Sequence, residues 1–179
     1  MKILIVTDAY YPQVNGVVRT LHETGEILKS QGHIIEYITP QQFLTVPMPK
    51  YNEIRLSLNV WPRVSHLINS IKPDAIHIAT EGPLGFMARR HCIKKGLKFT
   101  TSFHTRFDKY MKLYMPIIPA KWSEKYLCNI HNKAERMLVT TESMREELIA
   151  LGVDNNKKVT WTRGGNHGAF KNPIKRDLP

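Results

Sequence analysis

Four consecutive aliphatic residues, Ile3-Leu4-Ile5-Val6, run into Thr7-Asp8 and are followed by Pro12 and the dipeptide Asn15-Gly16. An unbroken aliphatic run of this length suits a strand covered on both faces, as in a parallel sheet, where polar and apolar positions need not alternate. Pro12 and Asn15-Gly16 force a loop before the next periodic segment. Val17, Val18, Leu21, Gly25 and Leu28 then share one helical face, and Gly32 stops that helix ahead of the second apolar run, His33 to Ile38. The opening is therefore a strand, loop, helix, strand unit.

The alternation continues down the chain. A Pro-rich connection (Pro40, Pro47, Pro49) leads to a short strand over 54–58, a helix over 64–71 and a strand over 75–78 introduced by Pro73-Asp74. Helices over 84–95, 121–133 and 143–151 then alternate with strands over 99–103, 137–140 and 158–161. About seven strands interleaved with helices predict an α/β fold, a Rossmann-like doubly wound parallel sheet. Irregular structure is expected at 41–51, 105–119 and after Arg163, and no internal repeat is visible.

A chain of 179 residues builds one domain with a sizeable core. No segment approaches the roughly 20 apolar residues needed to cross a bilayer, and Met1-Lys2 leads directly into the first strand, so a cytoplasmic protein is expected. Cys92 and Cys128 are widely spaced, which excludes a disulfide framework and a cysteine metal motif. The formal net charge of +11 favours anionic partners, whether phosphates, acidic lipid headgroups or nucleic acid. The basic residues are dispersed and match no nucleic-acid-reading module, so nucleic acid is not an expected partner.

In an open parallel sheet, ligands bind outside the carboxyl ends of the strands. The residues that follow each predicted strand are therefore the candidates: Asp8 and Asn15-Gly16, then Thr80-Glu81-Gly82-Pro83, His104-Thr105-Arg106, Thr141-Glu142-Ser143 and finally Arg163. Backbone amides at Asn15, Gly16 and Val17 suit a phosphate or sugar oxygen at a helix start, or simply form a tight strand-to-helix turn. His104 can donate to a sugar hydroxyl or a developing anion and exchange protons near neutrality; the alternative is a ring bonded to a neighbouring carbonyl. Glu81 either caps the following helix or meets a ligand. Arg19 opposes the dipole of its helix, so it is either placed for a phosphate or a solvated surface residue. Asp8 is expected to bond to amides of the loop that follows it, and Ser143, with Glu146, to cap its helix.

The stretch 107–118 with Lys121-Trp122 mixes lysines with aromatic and apolar residues, a composition suited to an acidic membrane surface or to a loop packed on its own domain. Dinucleotide, phosphate-loop and metalloprotease motifs are absent, as is an Asp-x-Asp pair for a metal-bound diphosphate. A sugar or phosphate site without a metal remains.

Three ordered blocks, Thr7 to Leu21, Pro73 to Gly85 and Phe99 to Phe107, resemble the N-terminal domain of family 4 glycosyltransferases, retaining enzymes of the GT-B fold. The resemblance runs over 1–163, with 164–179 corresponding to a degraded hinge and irregular tail, because Arg163-Gly164-Gly165-Asn166 departs from the family's usual Arg-Gly-Val-Asp. It implies transfer of a mannose- or glucose-type hexose from a nucleotide sugar to a lipid or glycan acceptor, with no metal cofactor. It further implies that Asn15-Gly16 lies at the interdomain cleft, that His104 contacts the transferred sugar, and that Arg19 faces acceptor phosphate or the cleft. Val17, Glu81, Gly82, Thr105 and Arg163 complete the expected substrate-binding set. The family's donor-binding domain has no counterpart in these residues, so the chain is expected to be inactive alone, with a separate donor-domain chain as a possible partner and peripheral contact with the inner membrane face. The alternative is a non-catalytic remnant or module that binds anionic lipid or glycan.

Overall fold

The computed structural model describes residues 1–13, 15–48, 51–104 and 120–161. Six parallel strands form one sheet in the order β2-β1-β5-β6-β7-β8, and β3 and β4 form a separate antiparallel pair. The sheet strands are β1 (Lys2–Val6), β2 (Ile34–Ile38), β5 (Ala75–Ile78), β6 (Thr100–Phe103), β7 (Arg136–Val139) and β8 (Lys158–Thr160). The helices are α1 (Gly16–Ser30), α2 (Val60–Ile71), α3 (Pro83–Lys95), α4 (Ala120–His131) and α5 (Glu142–Ala150). The expected Rossmann-like, doubly wound architecture is the observed one.

Alternation along β1 divides the core. Leu4 and Val6 face α2 and α3 in a cluster with Ile38, Val64, Ile68, Ile78, Leu84 and Ala88. Ile5 points the other way, against Leu21 of α1 and Ala79. A strand buried on both faces needs apolar residues at every position, which is why Ile3–Val6 is uninterrupted. A third cluster joins Phe103, Met137 and Val139 to Leu127 of α4 and Leu148 of α5. At the far edge, β8 is three residues long and turns Lys158 inward, where its ammonium donates to the Val153 carbonyl at 2.6 Å.

Two expectations need correction. The strand predicted over 54–58 belongs to β4 (Tyr51–Ser57), which pairs with β3 (Thr45–Met48) rather than joining the parallel sheet. β3 falls in a stretch expected to be irregular; Pro47 is tolerated because a two-stranded hairpin offers edge positions that need no N–H. The cap of α5 is Thr141, whose hydroxyl accepts from the Met144 amide at 3.2 Å, two residues ahead of the expected Ser143 cap. Segment 105–119 and the tail from 162, which hold Thr105, Arg163 and the lysine–aromatic stretch up to Pro119, lie outside the described residues.

Candidate functional site at the carboxyl edge of the sheet

The chain leaves β1 to build β2 on one side and later β5 on the other, so the crevice-forming switch in strand order lies between β1 and β5. All six strands are parallel, which puts Asp8, Thr80, His104, Thr140 and Trp161 along one rim. The start of α1 lies on this rim too, because it follows β1.

Asp8 closes the switch point. Its amide donates to Thr80 Oγ1 at 2.7 Å, and that hydroxyl returns a hydrogen bond to Asp8 Oδ2 at 2.8 Å. The Leu84 and Gly85 amides donate to the same carboxylate at 2.8 and 3.3 Å. Asp8 therefore caps α3, which lacks a side-chain cap of its own, instead of bonding to the loop that follows β1. The carboxylate also meets the positive end of the helix, a favourable placement. Burial pushes its pKa above the usual aspartate value, opposed by the hydrogen bonds from Leu84, Thr80 and Gly85 and reinforced slightly by Glu81. Gly82 is the backbone N-cap of α3, and a Cβ there would stand 2.4 Å from Asp8 Cγ.

Glu81 turns inward rather than capping α3. Its Oε1 stands 3.3 Å from Nε2 of His131, a pair with side chains 10% and 1% exposed. His131 Nδ1 in turn meets Thr101 Oγ1 at 3.0 Å, and Tyr126 donates its hydroxyl to the Glu81 carbonyl at 2.6 Å. This buried group ties the rim to α4.

Asn15 caps α1 by accepting from the Val17 and Val18 amides, both at 3.0 Å. The Val17 amide is thereby engaged inside the protein, and its side chain packs near Ile5 and Leu21. Gly16 begins the helix and is exposed. Arg19 is well exposed and pairs with Glu23 at 3.3 Å.

His104 follows β6, with its ring 5.8 Å from that of Trp161. Behind it lies a polar row in which Ser102 is the polar neighbour that the sequence already sets beside His104, while His77 and Thr100 carried no mark. Ser102 Oγ is 2.7 Å from His104 Nε2 and 3.2 Å from His77 Nε2, and His77 Nδ1 is 2.8 Å from Thr100 Oγ1. The period-2 spacing of Thr100, Ser102 and His104 in a strand was the available signal, because it puts all three on one face.

Burial lowers the His77 pKa from 6.5 to about 4. The unfolded chain therefore binds a proton that the folded chain refuses, so His77 contributes stability above pH 6.5 that is lost as pH falls toward 4. The loss is at most about 3 kcal/mol, since His77 is only partly buried by area. Asp8 acts oppositely over the range above 3.8, so the test is a difference. Urea unfolding at pH 7 and pH 5 should show a smaller pH-dependent loss in His77→Gln than in the wild type.

A cavity of about 390 Å³ opens on the β2 side of the switch point, lined by Asp8, Tyr10, Tyr11, Gln13, Gln41 and Arg55, the last from the β3–β4 hairpin. The Tyr10 and Tyr11 rings meet edge to face at 5.4 Å. Arg55 donates to the Thr45 hydroxyl and carbonyl. Aromatic faces, amides, a carboxylate and a guanidinium together suit a hydroxylated ligand that carries negative charge. Tyr10, Tyr11 and Gln13 lie in the Thr7 to Leu21 block that carries the family resemblance without having been expected to touch a ligand, whereas Gln41 and Arg55 carried no motif. Among the described residues, no three His, Cys, Asp or Glu side chains converge as a metal set, and no helix is long and apolar enough to cross a membrane.

The family model described as Glycosyltransferase Family 4 matches residues 14–167. A GDP-mannose-dependent alpha-mannosyltransferase of Corynebacterium glutamicum is 24% identical over 197 residues, covering 99% of this chain and 46% of that protein. Sulfoquinovosyl transferase SQD2 of Arabidopsis thaliana is 26% identical over 185 residues, covering 93% of this chain and 36% of its own length. Among solved structures, Anabaena Alr3699/HepE in complex with UDP and glucose superposes with a TM-score of 0.63 at 14% identity, over 97% of this chain and 47% of that one. The chain thus spans less than half the length of each of these proteins.

Proposed function

The chain belongs to glycosyltransferase family 4, and from that membership we propose that it forms the acceptor-side half of a nucleotide-sugar-dependent transferase. In this reading a mannose- or glucose-type hexose passes to a lipid or glycan acceptor, with retention of configuration and without a resident metal. The observation that carries the reading is the convergence on one sheet edge of His104, the Asp8–Thr80 clasp and the α1 start, inside a family match over 14–167.

His104 faces the transferred sugar and supports charge as the glycosidic bond breaks. The 390 Å³ cavity holds the acceptor, with Tyr10 and Tyr11 against its ring and Arg55 opposite an anionic substituent. Asn15-Gly16 and Gly82 are assigned to the substrate-facing edge, with Val17 fixing the start of α1 and Glu81 tying the rim to α4. Arg19 is assigned to the cleft edge, and Thr105 and Arg163 are assigned to substrate binding by the family resemblance. The relatives are about twice as long or longer, and donor binding is assigned to residues other than these, in the same or a separate chain. By themselves the 179 residues bind acceptor without transferring to it.

The test uses labelled GDP-mannose and UDP-glucose with a membrane lipid extract, given to the chain alone and with a candidate donor-side polypeptide. Labelled lipid should form only in the mixture, and His104→Ala should slow it about 10²-fold or more. In parallel, the chain alone should retain the acceptor in equilibrium binding, and Arg55→Ala should weaken that retention. Salt-sensitive binding to acidic vesicles with neither transfer nor acceptor retention would overturn the enzyme reading in favour of a lipid-binding module.

A further inference from the structure

The row Thr100, His77, Ser102, His104 runs from the start of β6 to the rim, crossing to β5 and back, and its proton count is constrained. Thr100 and Ser102 have one hydroxyl proton each, and a neutral imidazole has one N–H. Burial keeps His77 neutral near pH 7, so it donates at one ring nitrogen and accepts at the other.

The distances select a direction. The Thr100 hydroxyl has two acceptors in reach, His77 Nδ1 at 2.8 Å and the Ile76 carbonyl at 3.4 Å, and the shorter contact takes its proton; the ring N–H of His77 is then on Nε2, 3.2 Å from Ser102 Oγ. Thr100 thus donates to His77, and His77 donates to Ser102. The remaining Ser102 proton has two acceptors in reach, His104 Nε2 at 2.7 Å and the Ala79 carbonyl at 3.3 Å. The shorter contact takes it. Ser102 is 1% exposed, so no bulk water competes for that proton.

We propose that Thr100, His77 and Ser102 form a one-way hydrogen-bond chain that holds the His104 ring by Nε2 and keeps its proton on Nδ1. Ser102 and His77 are then positioning residues, and His104 keeps a fixed ring plane and a fixed donor nitrogen. The bearing of this on sugar transfer rests on the reading of His104 given above, whereas the hydrogen-bond chain itself does not.

Nitrogen-resolved NMR of the histidine side chains in the whole chain, at about pH 8 where an ordinary imidazole is neutral, tests the proposal without a substrate. His104 should show a protonated Nδ1 and an unprotonated Nε2, the reverse of the form that a free imidazole side chain favours in water. A protonated Nε2 in the wild type overturns the proposal, and this measurement needs no variant. Ser102→Ala should move His104 toward the Nε2–H form, and His77→Gln should move it in the same direction; an unchanged His104 signature in a folded Ser102→Ala protein also overturns it. A chain with the expected signature that neither retains acceptor nor supports transfer would keep the hydrogen-bond chain and lose the transferase reading, so the two failures are separable.

Discussion

Replacing Gly85 with alanine should destabilise the fold by about 3 kcal/mol, at the upper end of overpacking effects. A Cβ at this position would stand 1.9 Å from the Thr80 carbonyl oxygen, with the Thr80 carbonyl carbon at 3.0 Å and Ile78 Cγ2 at 3.2 Å. Two of those atoms are backbone, so no rotamer change relieves the clash. The first turn of α3 would have to lift from the end of β5, breaking the Asp8 cap as it moved. Urea unfolding should show a lower midpoint with little change in slope. Lys94→Ala, in the exposed last turn of the same helix, is the control and should change stability by less than about 0.5 kcal/mol.

Asp8→Ala should cost about 3 kcal/mol. It removes a helix cap, a substitution that ordinarily costs about 1 kcal/mol, and also strips the Thr80 hydroxyl of its acceptor in a partly buried place. Asp8→Asn should be milder, about 1–2 kcal/mol: one oxygen still accepts from Leu84, but the new NH₂ sits opposite the Gly85 amide. The raised pKa of Asp8 bears on the pH response. The folded state holds this proton more tightly than the unfolded state, so ionising the carboxyl costs stability as pH rises from 3.8 through the raised folded value. Removing Asp8 should therefore flatten that part of the stability profile while lowering it overall, which denaturation at several pH values would show. An unchanged midpoint in Asp8→Ala would mean that the carboxylate's desolvation cancels its hydrogen bonds.

Most of the sheet was legible because parallel strands covered on both faces announce themselves. Ile3–Val6 is an unbroken apolar run and Ala75–Ile78 one interrupted only by His77, both set between turn residues, and a covered strand needs little else. The strand over 54–58 was legible but its pairing in the β3–β4 hairpin was not, since Pro47 read as loop and nothing local says that a bulged edge strand tolerates it. The α5 cap failed for another local reason: Thr141 and Ser143 are both competent caps, and the Glu146 spacing favoured the wrong one.

The rim divides the same way. That its residues follow parallel strands is local information, and it put Asp8, Glu81 and His104 on one edge. What each side chain bonds to is not local. Asp8 reaches partners 72 to 77 positions away, and His77 meets Thr100 and Ser102 at separations of 23 and 25. Such pairings follow from strand order, which alternation left open.

The geometry of β8 has a bearing on how this molecule behaves among copies of itself. A sheet's outermost strand exposes a ladder of amides and carbonyls that a neighbouring polypeptide can extend into an aggregate. Here the ladder is three residues long, and one of the three sends its ammonium back under the sheet to the Val153 carbonyl. A stray segment that zipped onto this margin would gain few pairings and would sit over a buried cation, which makes this margin a poor seed for intermolecular β-structure.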